Sequence, residues 1–245
     1  MVRPVSDPRR NALVVAHEPD GPSGQVGVRL TDRGFSLHTH LVTDDYKQPQ
    51  AFAPWPAFAD FDLIVVMGSV RSLTNKAEIS SWVGEETADI RAAIERDQPV
   101  LGVCFGGQLI ADAMGGSVEV SPTVEIGWYD VEPLEGAPSI IGAGPWFQWH
   151  HDRFHAPPAA EVLGRTTSST QLMRLGRSVG TQFHPEVDVP HVQGFLRDAP
   201  ADYLDEVGIV ADAMIETMAA MQSDNSRRCH TLVDWFLDEI AFPVK

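Results

Sequence analysis

The stretch PVLGVCFGGQLIADAMGG, residues 99–116, constrains the fold more than any other part of the chain. It joins a short, β-branched apolar run to a helical pattern through Gly102-Val103-Cys104-Phe105-Gly106, a G-x-C-x-G bend. A strand that passes into a helix this abruptly must turn sharply, and side chains two positions either side of the bend would collide. Glycine removes those side chains and tolerates the backbone angles required. The bend presents Cys104 at the carboxyl end of a strand and at a helix N-terminus, where the dipole favours a thiolate. The amide of Phe105 faces the place where an oxyanion would form.

The surrounding pattern fits such a bend. ALVVAH at 12–17 and DLIVVMGS at 62–69 are, like PVLGVCFG at 99–106, apolar without alternation, as suits central parallel strands buried on both faces. SLHTHLV at 36–42 predicts a fourth strand. Helical periodicity over 77–97 and in GQLIADAMGG separates the runs. Strand and helix therefore alternate, and the fold class is α/β, an open, mostly parallel sheet with helices on both faces.

From about residue 117 the runs shorten and turns multiply, which predicts antiparallel strands added to the same sheet, with LGRS as a hairpin turn. Residues 200–245 return to helix, and QSDNSRR at 222–228 reads as a break between two helices. The domain expectation is an N-terminal tail over 1–10, one domain over 11–190 and a helical extension over 191–245 packed on it. Met214, Met218 and Met221 on that extension suit either core packing or a homodimer or partner face.

A thiol nucleophile needs a base, and the base needs an orienting group. TQFHPEV at 181–187 supplies both. Residues two apart share a face in an extended chain, and Pro185 biases His184 toward extended geometry, so His184 and Glu186 point the same way. A carboxylate beside an imidazole fixes its tautomer and stabilises the imidazolium.

Composition limits the partners. A net charge of −16 disfavours binding to a phosphate backbone. Two cysteines, Cys104 and Cys229, make no disulfide framework, and a reducing cytoplasmic setting is expected. No apolar segment reaches the roughly 18 residues of a membrane span. The adjacent histidines His150 and His151 would point to opposite sides of a strand, so neither a metal nor another cofactor is expected.

Taken together, GVCFGGQ and QFHPE resemble the nucleophile and histidine-glutamate motifs of the class I glutamine amidotransferases, the triad glutaminase family. The resemblance spans about residues 12–190. It implies Cys104 as nucleophile, His184 as general base and acid, Glu186 as orienter, and Gln108 as a contact for the amino-acid end of glutamine. It implies a second oxyanion donor at Gly68, beside Phe105. The family's Gly-Gly-Pro loop reads Met67-Gly68-Ser69 here, with methionine in place of the first glycine and serine in place of the proline. EIGWYDV at 125–131 and WHHDRF at 149–154 resemble segments of stand-alone members that line or select substrate. CHTLVDWFLDEI at 229–240 resembles the family's closing helix, displaced by an insertion. Three functions follow as alternatives: a glutaminase releasing ammonia for a synthase partner subunit, a stand-alone hydrolase of γ-glutamyl amides or peptides, and a non-catalytic glutamine-binding module.

Overall fold

The computed structural model describes residues 10–243; the predicted tail over 1–10 lies almost wholly outside the described residues. Four parallel strands lie side by side: β1 (Asn11–Ala16), β2 (Ser36–Leu41), β3 (Leu63–Val66) and β4 (Val100–Val103). β1, β3 and β4 are almost wholly buried, as their unbroken apolar sequences require. Helices α1 (Gly24–Asp32), α2 (Val83–Glu95) and α3 (Phe105–Ala113) lie in the connections. α2 begins later than the periodicity over 77–97 predicts. Residues before it form tight turns, and Trp82 is buried with its indole N–H donating to the Pro49 carbonyl at 2.7 Å.

Past α3 come β5 (Ser117–Tyr129), β6 (Glu132–Pro133), β7 (Trp146–His155), β8 (Glu161–Arg165), β9 (Thr170–Leu175) and β10 (Ser178–Thr181). The main sheet runs β2-β1-β3-β4-β10-β9-β8-β6. The expected antiparallel additions are present in β6, β8 and β9, and the LGRS turn joins β9 to β10. β5 and β7 depart from that expectation: they pair only with each other, as a separate antiparallel ribbon with an irregularity between Val120 and Glu125. β10 is antiparallel to β9 but parallel to β4, so the chain leaves β10 at the same end of the sheet as it leaves β4.

Helices α4 (Val189–Asp198), α5 (Ala201–Glu206) and α6 (Ala211–Trp235) follow, and α6 runs on into a π-helical turn, Phe236–Ala241. The expected break at 222–228 is absent. That stretch has no glycine or proline, and its polar residues are used inside the fold: Arg228 donates to Asn225 Oδ1, and Val189 N–H donates to Gln222 Oε1. Met214 and Met218 are buried in a cluster with Phe147, Val187, Val192 and Leu196, which is the core-packing alternative, and Met221 is half-buried. Cys229, Leu232, Val233, Phe236, Leu237 and Ile240 join the principal core beneath β1, β3 and β4. Arg29 of α1 and Arg33, just past its end, both reach Asp234 of α6, clamping the two helices.

Candidate active site

The bend at Cys104 is sterically enforced. A Cβ on Gly102 would lie 2.4 Å from the Gly106 carbonyl oxygen, and one on Gly106 would lie 2.1 Å from that of Val66. One on Gly107 would meet the Thr181 carbonyl oxygen at 2.5 Å. The glycines thus let α3 sit directly on β3, β4 and β10. Cys104 takes up the remaining strain with φ of +51°, a region that L residues seldom enter. Its N–H donates to Thr181 O at 2.8 Å, tying the bend to the end of β10.

Three residues past β10, the chain delivers His184 to the same place. Its Nδ1 lies 2.8 Å from Glu186 Oε1. The segment from 182 is bent, with a turn at Pro185-Glu186, yet the two side chains still meet. Both are buried, and Nε2 is left without a hydrogen-bond partner. Burial opposes charge on His184, but Glu186 and the neighbouring Cys104 outweigh it and raise the imidazole well above the usual histidine value. With Nδ1 committed to the carboxylate, Nε2 is the nitrogen free to exchange a proton.

Gly68, at the end of β3, packs over both groups: a Cβ there would lie 3.2 Å from His184 Cε1 and 3.8 Å from Cys104 Cβ. Phe105 opens α3, and its amide is among the first four that intrahelical bonding leaves free. Gln108, one turn along, donates weakly to Asp152 O at 3.4 Å and to Gln182 Oε1 at 3.3 Å. Gln182 Nε2 lies 3.5 Å from the Cys104 sulfur. All six residues singled out in the sequence, namely Cys104, His184, Glu186, Gly68, Phe105 and Gln108, line one cavity of about 440 Å³.

That geometry can be set beside known proteins. The family model for class I glutamine amidotransferases matches residues 26–196.

The chain belongs to the class I glutamine amidotransferase family.

It is 27% identical over 242 residues to the glutamine amidotransferase-like protein YfeJ of Salmonella typhimurium, covering 93% of this chain and 95% of that one. It is 37% identical over 135 residues to the glutamine-hydrolysing GMP synthase of Aeropyrum pernix, covering 53% of this chain but 26% of the synthase. The crystal structure of a glutamine amidotransferase from Thermotoga maritima superposes with a TM-score of 0.80 at 21% identity, over 95% of this chain and all of that one, a likeness of fold.

Trp149, His150, His151 and Asp152 line the amidotransferase cavity, as the resemblance of the WHHDRF segment implied. His150 faces the Glu125 carboxylate at 3.0 Å, and Glu125 also accepts from Ser169 and Gln171 at 2.8 Å. Burial pushes the Glu125 carboxyl up, but the bonds from His150 and Ser169 outweigh it and hold it below the usual range. Tyr46, Arg71, Phe195, Asp198 and Tyr203 complete the outer wall. Tyr203 bonds His151, Tyr46 O–H donates to Asp198 O at 3.1 Å, and Arg71 donates to Tyr46 O. These residues come from separate loops and from the C-terminal helices, and no local spacing connects them. Among the described residues no group of three or more His, Cys, Asp or Glu is placed to hold a metal ion, and no helix is long and apolar enough to cross a membrane.

Proposed function

We propose that the protein hydrolyses the γ-amide of glutamine through a thioester on Cys104. His184 takes the thiol proton, and the sulfur attacks the amide carbon. The amides of Phe105 and Gly68 hold the resulting oxyanion. His184 then donates its proton to the departing ammonia, and water resolves the thioester to glutamate. Glu186 fixes the imidazole and stabilises its charged form, and Gln108 contacts the amino-acid end of the substrate. The observation that carries this reading is the meeting of a strained cysteine, φ +51°, with a buried His184–Glu186 pair in one cavity.

Ammonia released in this way needs an acceptor. The similarity to glutamine-hydrolysing GMP synthases supports a synthase partner for this chain as well. A second reading, hydrolysis of larger γ-glutamyl amides or peptides without a partner, is favoured by the outer wall. Tyr46, Asp198 and Tyr203 share with the cysteine a cavity of about 440 Å³, leaving a place for a leaving group larger than ammonia. Assaying the purified chain with glutamine and with γ-glutamyl amides, while following Cys104 by mass spectrometry, tests both. A γ-glutamyl adduct on Cys104 that disappears in Cys104→Ala is expected; undiminished turnover in Cys104→Ala overturns the reading.

A further inference from the structure

His17 stands at the end of β1, buried and outside the cavity lining, with no part in the chemistry above. Its Nδ1 lies 3.0 Å from the Gly68 carbonyl oxygen, and its Nε2 lies 3.1 Å from both carboxylate oxygens of Glu86 on α2. His17 and Glu86 are both 0% exposed. The imidazole also packs edge-on against Phe105 at 4.9 Å between centroids, and tilted at 35° against Trp82 at 5.3 Å. One buried side chain therefore touches both residues whose amides are assigned to the oxyanion.

We infer that His17, oriented by Glu86, is a positioning residue that sets the Gly68 loop for oxyanion binding. The inference rests on the reading of Gly68 and Phe105 as oxyanion donors.

The physical argument begins with the loop. Met67-Gly68-Ser69 has no proline, and its glycine has two soft torsions with no side chain to restrain them. On its N-terminal side Met67 N–H is fixed to Val15 O at 2.9 Å, within the sheet. On its C-terminal side the Gly68 carbonyl is fixed by His17. A carbonyl oxygen can only accept, so Nδ1 carries a proton. The remaining nitrogen meets the Glu86 carboxyl group. Burial opposes charge on His17, but Glu86 outweighs it and raises the imidazole above its ordinary value, with Glu18 contributing in the same sense. His40, half-buried nearby, is lowered by its own burial. The resulting charge-assisted bond is stronger than a neutral one, and it keeps the Gly68 carbonyl turned into His17. Released, that oxygen could rotate toward the Cys104 sulfur, where it would repel the negative charge that forms during attack. Preorganised donors accelerate acyl transfer because they need no rearrangement as charge develops.

Two double variants of matched polarity isolate the bond. In both, Glu86→Gln removes the buried carboxylate, so neither leaves an unpaired charge. His17→Asn keeps an N–H near the Nδ1 position for the Gly68 carbonyl, whereas His17→Gln carries its amide to the Nε2 position and loses that bond. Turnover of glutamine and of γ-glutamyl-p-nitroanilide is measured together with the rate at which iodoacetamide alkylates Cys104, a reaction that makes no oxyanion. His17→Gln/Glu86→Gln is expected to lower kcat by about 10²–10³-fold. KM and the alkylation rate are expected to stay within about threefold of wild type, and His17→Asn/Glu86→Gln to regain at least tenfold in kcat.

Equal kcat in the two variants overturns the inference, as does a parallel fall in alkylation, which would report general damage to the site. If the His17→Gln variant does not fold, the His17→Asn variant decides alone. A kcat loss of up to about 10²-fold supports the inference, and a larger loss overturns it. Wild-type protein that forms no Cys104 adduct and turns over neither substrate refutes the glutaminase reading itself. That result is distinct from an active wild type indifferent to His17.

Discussion

Single residues set the chemistry proposed for Cys104, and His184 is where a residue-scale test is sharpest. Its imidazole is raised by Glu186 and Cys104 against burial. A group whose folded-state value lies above its unfolded value stabilises the fold fully below the unfolded value. That contribution is lost as the pH rises through the raised value. The wild type should therefore lose a stability increment on the alkaline side of the ordinary histidine range. Glu186→Gln keeps the acceptor for Nδ1 but removes the charge, so the loss should begin at lower pH. Melting temperature against pH, with the His184 Cε1–H resonance followed by NMR, checks this; unshifted titration in the variant would show that Glu186 does not hold the proton there. Activity in Glu186→Gln should fall by less than in His184→Ala, since proton transfer by a placed base contributes about 10²–10⁴-fold and the variant retains that base.

At the scale of elements, the decisive junction is β4-bend-α3. Gly106→Ala would put a methyl group 2.1 Å from the Val66 carbonyl oxygen, which is backbone and part of the sheet. Either α3 lifts or β3 shifts, and overpacking of this kind costs about 1–3 kcal/mol. Denaturant unfolding should show that loss, and Cys104 alkylation should change with it because the elbow moves. Gly115, at φ +91° just past α3, has open space at its Cβ position, so Gly115→Ala should cost stability only through backbone strain and leave alkylation unchanged. The same scale shows how the sequence misleads. QSDNSRR reads as a break by its polarity, but its Asn225 and Arg228 are buried partners on a continuous α6. Polarity reports solvent exposure only when no internal partner exists.

At the scale of the whole molecule, the C-terminal helices belong to both core and cavity. Phe236 is 0% exposed in the principal core, so Phe236→Ala should destabilise by about 3–5 kcal/mol. Deleting residues 200–245 removes Phe236, Leu232 and Cys229 from beneath the sheet and Tyr203 from the cavity wall. The truncated chain should lose its near-ultraviolet circular dichroism and its cooperative melt. A truncation that melts like the full chain would show that the extension is dispensable to the fold.

The parallel strands, the bend at Cys104 and the local pairing of His184 with Glu186 were legible in the order of amino acids alone. Each depends on residues within a few positions of one another: unbroken apolar runs, glycines at fixed offsets, a carboxylate two places from an imidazole. It took the folded chain to set β10 parallel beside β4, bringing His184 to Cys104, and to separate β5 and β7 from the sheet as their own ribbon. The fold alone joined His17 to Glu86 and Gly68, and Tyr203 to His151. Such contacts connect segments far apart in the chain. Their geometry follows from which strand neighbours which and how helices cover the sheet, and no local spacing encodes it.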